Sequence, residues 1–212
     1  SFTPISEGFS GIYNGDGYSI IDMTVNSGTQ YTGMFRTTAN ATIQNVNLVD
    51  ADVTSSSLHT GTLVGVADNT TILNCSVSGS VTGAISNTGG LVGLASGDTT
   101  ITGCIANTTV NGAANVGGLV GYLLDSHVTY GKSSGTVDAT GSRAGGLIGY
   151  QTETAKVIKS ISDADVSGTT YVGGLVGFAT GNAITGTTVS IQNSYATGSV
   201  NGTSNVGGLA GR

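Results

Sequence analysis

The residues most able to do chemistry are two Asp-x-Asp pairs, two cysteines and two histidines. Asp50 and Asp52 precede Val53, and Asp163 and Asp165 precede Val166 at the matching place further along the chain. Paired carboxylates bind calcium or cleave glycosidic bonds, and the two acids of a glycosidase stand within about 10 Å of each other. Four repeats separate these pairs, about 19 Å at the spacing of stacked strands, so they read as solvated strand residues. Cys75 and Cys104 occupy equivalent positions in adjacent repeats. Stacked, they are either buried free thiols, the reading adopted here, or a disulfide. No Cys-x-x-Cys or nearby histidine completes a metal site. His59 and His127 fall at non-equivalent places and read as surface or turn residues. Asn14-Gly15-Asp16-Gly17 lacks the later Glu of a calcium loop and reads as a plain turn. No catalytic residue, cofactor or metal is assigned.

Two further sets carry weaker signals. Asn40, Asn69, Asn107 and Asn201 head Asn-x-Ser/Thr sequons that are candidate glycosylation sites in a suitable host. Asn74 heads another, but reads as lying within a strand and is the doubtful acceptor. Tyr122, Tyr150 and Phe178 follow one motif in consecutive repeats, above Val66 and Leu94. Pointing inward they are core, the reading preferred here. Pointing outward they could grip a sugar face or another protein.

All of these positions are set by one repeated stretch, Gly-Gly-Leu-Val-Gly. It reads Gly89-Gly90-Leu91-Val92-Gly93, then Gly117-Gly118-Leu119-Val120-Gly121, Gly145-Gly146-Leu147-Ile148-Gly149 and Gly173-Gly174-Leu175-Val176-Gly177. Gly207-Gly208-Leu209-Ala210-Gly211 is the last copy, Gly61-Thr62-Leu63-Val64-Gly65 a degenerate earlier one, and Thr32-Gly33-Met34-Phe35 a worn first one. The leucines recur every 28 residues, with a final step of 34. A fixed period of this size marks a solenoid or array, and a propeller blade needs about 40–50 residues. The six extra residues fall in the stretch from Gly181 to Thr188, which predicts a bulging loop.

Between motifs the same columns return. One is Ile43, Ile72, Ile101, Val128, Val157 and Ile191, and three residues on stand Val46, Cys75, Cys104, Gly131, Ser160 and Ser194. Another is Val53, Val81, Val110, Val137, Val166 and Val200. β-Branched residues with abundant glycine favour strands over helix. The pattern predicts an all-β, parallel β-solenoid of six to seven coils, three short strands each, right-handed by the usual chirality of parallel crossovers. Residues 1–30 read as a capping turn, with a strand over 20–25 and a tight turn at Gly15-Asp16-Gly17. Residues 31–212 read as the solenoid, within a single domain.

Composition narrows the function. The chain has 212 residues, a net charge of −6 and only 8% charged residues. It has no basic stripe for nucleic acid and no apolar run of the length that crosses a bilayer, so direct membrane insertion is not expected. The polar surface is Ser, Thr, Asn and Gly, which suits a secreted or cell-surface protein. It starts at Ser1 without a methionine, as a mature product or an excised fragment would.

The motif copies resemble the GLUG-motif repeats of bacterial and archaeal surface proteins, named for the Gly-Leu-x-Gly core. Phe9-x-Gly11-x-Tyr13-x-Gly15-x-Gly17 with Ile21-x-Met23-x-Val25 is similar to the segment preceding such repeats, and Tyr31-x-Gly33-Met34-Phe35 to their variant first copy. The resemblance implies an extracellular β-solenoid and brings no catalytic residues. The expected function is a non-catalytic surface module acting as stalk or adhesion surface, with glycans or proteins of another cell as partners. The alternative is a subunit that stacks end to end with further copies, because no polar cap follows the last motif. Ice binding and polysaccharide cleavage are weaker alternatives.

Overall fold

The computed structural model describes residues 2–5 and 8–212, and among them every strand pairing is parallel. Three faces wind around one axis. The motif face stacks Phe35–Ala39, Val64–Asp68, Val92–Ser96, Val120–Leu124, Ile148–Thr152 and Val176–Thr180. The short-strand face is seven strands deep, from Ile12–Asn14 through Thr71–Leu73 to Ser190–Gln192. The third face holds the long strands, such as Ser76–Gly89 and Ile105–Gly117. Seven rungs give a rod about 29 Å tall.

The motif leucine organises each coil. Leu63, Leu91, Leu119, Leu147 and Leu175 are wholly buried. The amide of each donates to the carbonyl of the next leucine, at 2.9–3.0 Å. Leu209 keeps this register but is 42% exposed, because no described coil covers it. The motif glycines answer a demand for space. A Cβ on Gly117 would stand 2.1 Å from the Val120 carbonyl oxygen and 2.7 Å from the Gly149 nitrogen of the next coil. Gly90, Gly118, Gly146 and Gly174 pack directly on Ala106, Ser133, Ser162 and Ala196 across the coil. This pinch splits the interior into a main Ile/Leu/Val core and a smaller one around Val110, Val137, Val166 and Val172.

The corners are built from residues in the left-handed region. One column is His59, Asn87, Asn115, Arg143, Tyr171 and Asn205, with φ between 51° and 65°. A second is Asn45, Asn74, Gly103, Tyr130, Lys159 and Asn193. Asn and Asp tolerate this conformation best among side-chain-bearing residues, which is why asparagine recurs there. Two expectations are corrected by these corners. Asn74 lies on an exposed corner at φ 51° rather than within a strand. The stretch 20–25 is broken by Asp22, at φ 56°, into Ser19–Ile21 and Thr24–Ser27. Asp16 and Gly17 turn with positive φ, as expected.

The extra residues form a loop over 181–189, between Thr180 and Ser190. Glu153 pins it, accepting from Asn182 Nδ2 at 3.2 Å and Thr187 Oγ1 at 2.9 Å, while Ile184 at its tip is 96% exposed. At the other end Phe9 and Tyr13 pack on Phe35, with centroids 5.0 and 5.3 Å away, and plug the core.

Candidate functional site

The aromatic column faces outward, which corrects the inward reading. Along the motif face the column runs Thr37, Val66, Leu94, Tyr122, Tyr150 and Phe178. All three rings are half-buried on the outer surface, while Val120, Leu123, Ile148 and Gln151 of the same strands point in. Tyr122 and Tyr150 stack with centroids 4.8 Å apart and planes at 16°, and Phe178 meets Tyr150 edge-on at 5.5 Å. Burial raises the Tyr150 phenol above its ordinary pKa.

The neighbouring left-handed corner contributes the rest. His59 Nδ1 meets Asn87 Nδ2 at 2.9 Å, Asn115 Nδ2 donates to Asn87 Oδ1 at 2.7 Å, and Arg143 Nη1 donates to Asn115 Oδ1 at 3.1 Å. The Arg143 guanidinium lies 4.3 Å from the Tyr150 centroid and 5.4 Å from that of Phe178. Tyr171 packs edge-on against Phe178 at 4.8 Å, and Arg212 lies 5.6 Å from the same ring. Burial lowers the pKa of His59, so its ring favours the neutral form. The result is one continuous strip of stacked rings and guanidinium groups along the rod. Its aromatics were visible in the sequence, but Arg143 and Tyr171 were missed. The available signal was their place one and two 28-residue periods after Asn115.

The other candidates do not assemble into a site. Asp52 and Asp165 share one outer column with Ser80, Thr109 and Thr136 between them. Asp52 accepts from Ser80 Oγ at 2.8 Å, and Asp165 from Ser199 Oγ at 2.7 Å. Asp163 accepts from Thr197 and pairs with Lys132 at 3.0 Å; these bonds hold its carboxyl below the usual range. Asp50 sits at a left-handed bend. His127 lies half-buried on the outer short-strand face, in the column of Thr42, Thr71 and Thr100. No group of three or more His, Cys, Asp or Glu among the described residues could hold a metal ion.

Cys75 and Cys104 are free and buried. They share a mechanical role with the serines of their column. Each side chain donates to the carbonyl two residues back: Cys75 to Leu73, Cys104 to Thr102, Ser160 to Ile158, Ser194 to Gln192. Each of the later three also accepts an amide from the preceding coil. Cys104 Sγ takes that of Cys75 at 3.5 Å, Ser160 Oγ that of Gly131, and Ser194 Oγ that of Ser160. The neighbouring Cys75 thiol and burial together raise the Cys104 thiol well above its ordinary pKa.

The sequon asparagines are all exposed. Asn40 and Asn69 sit on a corner, with Asn69 Nδ2 donating to Asn40 Oδ1 at 2.6 Å. Asn107 and Asn201 lie on outer strand surfaces.

Comparison with known proteins agrees with this architecture. The family model of the GLUG motif matches residues 112–138, a stretch spanning the Gly117-Gly118-Leu119-Val120-Gly121 copy. No curated protein sequence matches the chain. Among solved structures it is similar to a candidate immunoglobulin A1 protease from Bacteroides ovatus, with 18% identity and a TM-score of 0.68. That likeness covers 92% of this chain and 68% of the other, and at such identity it is a likeness of fold. The chain is therefore a parallel β-solenoid that carries a match to the GLUG motif at residues 112–138.

Proposed function

We propose that the chain is a non-catalytic, extracellular repeat module of a surface-type protein, acting as a rigid spacer that presents an adhesion surface. The GLUG motif, typical of extracellular proteins, supports the location. The observation that carries the role is the division between a repetitive interior and a variable exterior. The interior columns return coil after coil, whereas the outer motif-face column changes from Thr37, Val66 and Leu94 to Tyr122, Tyr150 and Phe178. Coils that fold with Thr, Val or Leu at that place do not need a ring there, so the rings serve contact. Glycans or proteins of another surface are the partner classes. The reading is tested by deleting residues 31–212 in frame from the protein that carries them and measuring cell adhesion. Loss of adhesion with normal surface display supports it, and undiminished adhesion refutes the adhesive role.

End-to-end stacking is the second reading, because parallel coils hydrogen-bond edge to edge and a coil edge can template another copy. Sedimentation over a concentration series tests it, and a monomer at high concentration would end it. The weaker readings fit less well. The Thr42, Thr71 and Thr100 column that could order ice is interrupted by His127 and Lys156. Polysaccharide cleavage by the two Asp-x-Asp pairs acting together fits less well, because the column holding Asp52 and Asp165 separates them by four coils, beyond the reach of a glycosidase pair.

A further inference from the structure

We infer that the strip formed by Tyr122, Tyr150, Phe178, Tyr171, Arg143 and Arg212 is a docking surface for an acidic, extended segment of a partner protein. This rests on the reading of the chain as an adhesive module and names the partner that one face of it fits.

Charge selects the sign of the partner. The chain carries 12 acidic and 6 basic residues, yet two arginines converge on Phe178. Neither Arg143 nor Arg212 makes an ion pair among the described residues. Glu153, whose charge reaches Tyr150, is already engaged by Asn182 and Thr187. Arg143 is also held in place, by Asn115 at its Nη1 and by the Tyr150 ring beneath it. A guanidinium fixed in this way loses less side-chain entropy when it binds a carboxylate. Aromatic residues and arginine are the side chains most enriched at the energetic centres of protein interfaces.

Ring geometry separates peptide from sugar. A sugar stacks on an open aromatic face. Here Tyr122 and Tyr150 cover each other, and Arg143 lies over Tyr150 and Phe178. What these rings offer is their edges, which carry the positive end of the aromatic quadrupole. Edges and guanidinium groups together suit carboxylates and apolar side chains better than a pyranose face. The strip spans three coil steps, about 14 Å, enough for about four extended residues. A single contact of that size is weak, and its strength would come from several copies acting together.

The test uses the purified chain and two polyanions, fluorescently labelled poly-L-glutamate and polygalacturonate, read by anisotropy at low and high salt. The perturbation is the double variant Y150L/R143N, which installs residues the same columns already use at Leu94 and Asn115 and so should fold. Saturable binding of poly-L-glutamate is expected, weakened by salt and about tenfold weaker in the variant. Absence of saturable binding overturns the inference, as does equal binding by variant and parent. Binding of polygalacturonate alone also overturns it and assigns the strip to a glycan. Should the double variant unfold, the single variant R143Q is read by the same criteria. These results do not depend on where the protein resides, so their failure is distinct from failure of the surface-module reading.

Discussion

Replacing Gly117 by alanine should destabilise the protein, whereas the same change at Gly208 should not. The Gly117 Cβ would meet the Val120 oxygen at 2.1 Å, the Gly149 nitrogen at 2.7 Å and the Leu147 oxygen at 2.9 Å. All three are backbone atoms, and the neighbouring coil cannot give way freely. Leu119 and Val120 amides donate to the Leu147 carbonyl at 2.9 and 3.0 Å, and Gly118 donates to Gly145 at 3.3 Å. Relieving the overlap needs a shift of about 1 Å through this ladder, and overpacking of that kind costs about 3 kcal/mol. For a chain of this length that lowers Tm by about 6–12 °C. Gly208 has no atom within 4 Å of its would-be Cβ. Alanine there only restricts the unfolded chain, which stabilises by up to about 1 kcal/mol. Thermal and urea unfolding followed by far-ultraviolet circular dichroism measures both. Equal losses would show that the motif needs glycine for backbone conformation rather than for space, and a harmless G117A would refute the close-packing argument outright.

Three further outcomes follow from the columns. Cys104→Ser should keep near-native stability because serine already fills this role at 160 and 194. Cys104→Val should cost about 1–3 kcal/mol by orphaning the Cys75 amide, and equal stability of the two variants in urea would contradict the amide-acceptor role. Thr88 Oγ1 is buried without a partner in a column continued by Val116, so Thr88→Val should stabilise by about 1 kcal/mol; a loss of stability in the same assay would show that the hydroxyl is satisfied. His59 has its pKa lowered by burial, so the unfolded state binds more protons and stability falls with pH below the ordinary value of 6.5. Urea midpoints from pH 7.5 to 5 should show this slope and His59→Asn should remove it, whereas a slope that survives the substitution excludes His59 as its source.

Much of the architecture was legible because a repeat states each position several times. The leucine period, the inward Ile and Val columns and the loop over 181–189 all stand where the spacing placed them. The facing of the aromatic column was not legible, and the reason is local. A strand alternates its side chains with a period of two, which would put Tyr122 on the same side as Val120. The motif strands depart from that period. In Val92–Ser96 the inward residues are Val92 and Ala95, three apart, with Leu94 turned out. The tight Gly-Leu-Val-Gly bend takes up one residue, since the leucine carbonyls from Leu91 onward each accept two amides from the coil before, as Leu119 does from Leu91 and Val92. The corners were hidden for a related reason. Asn74 continues a β-rich stretch in sequence, and only the left-handed conformation that asparagine tolerates turns it into a corner. The thiol column looked like a choice between a disulfide and inert packing. Its work, accepting an amide from the preceding coil, depends on a stacking register that a single repeat does not reveal.

The central claim is that this repeat module is displayed outside the cell as a folded, non-enzymatic contact surface. The most direct measurement is labelling of intact and lysed cells of the source organism with an antibody raised against the purified chain. Equal labelling of intact and lysed cells, abolished by brief external protease, is the predicted result. Labelling that appears only after lysis would place the solenoid inside the cell and contradict the account.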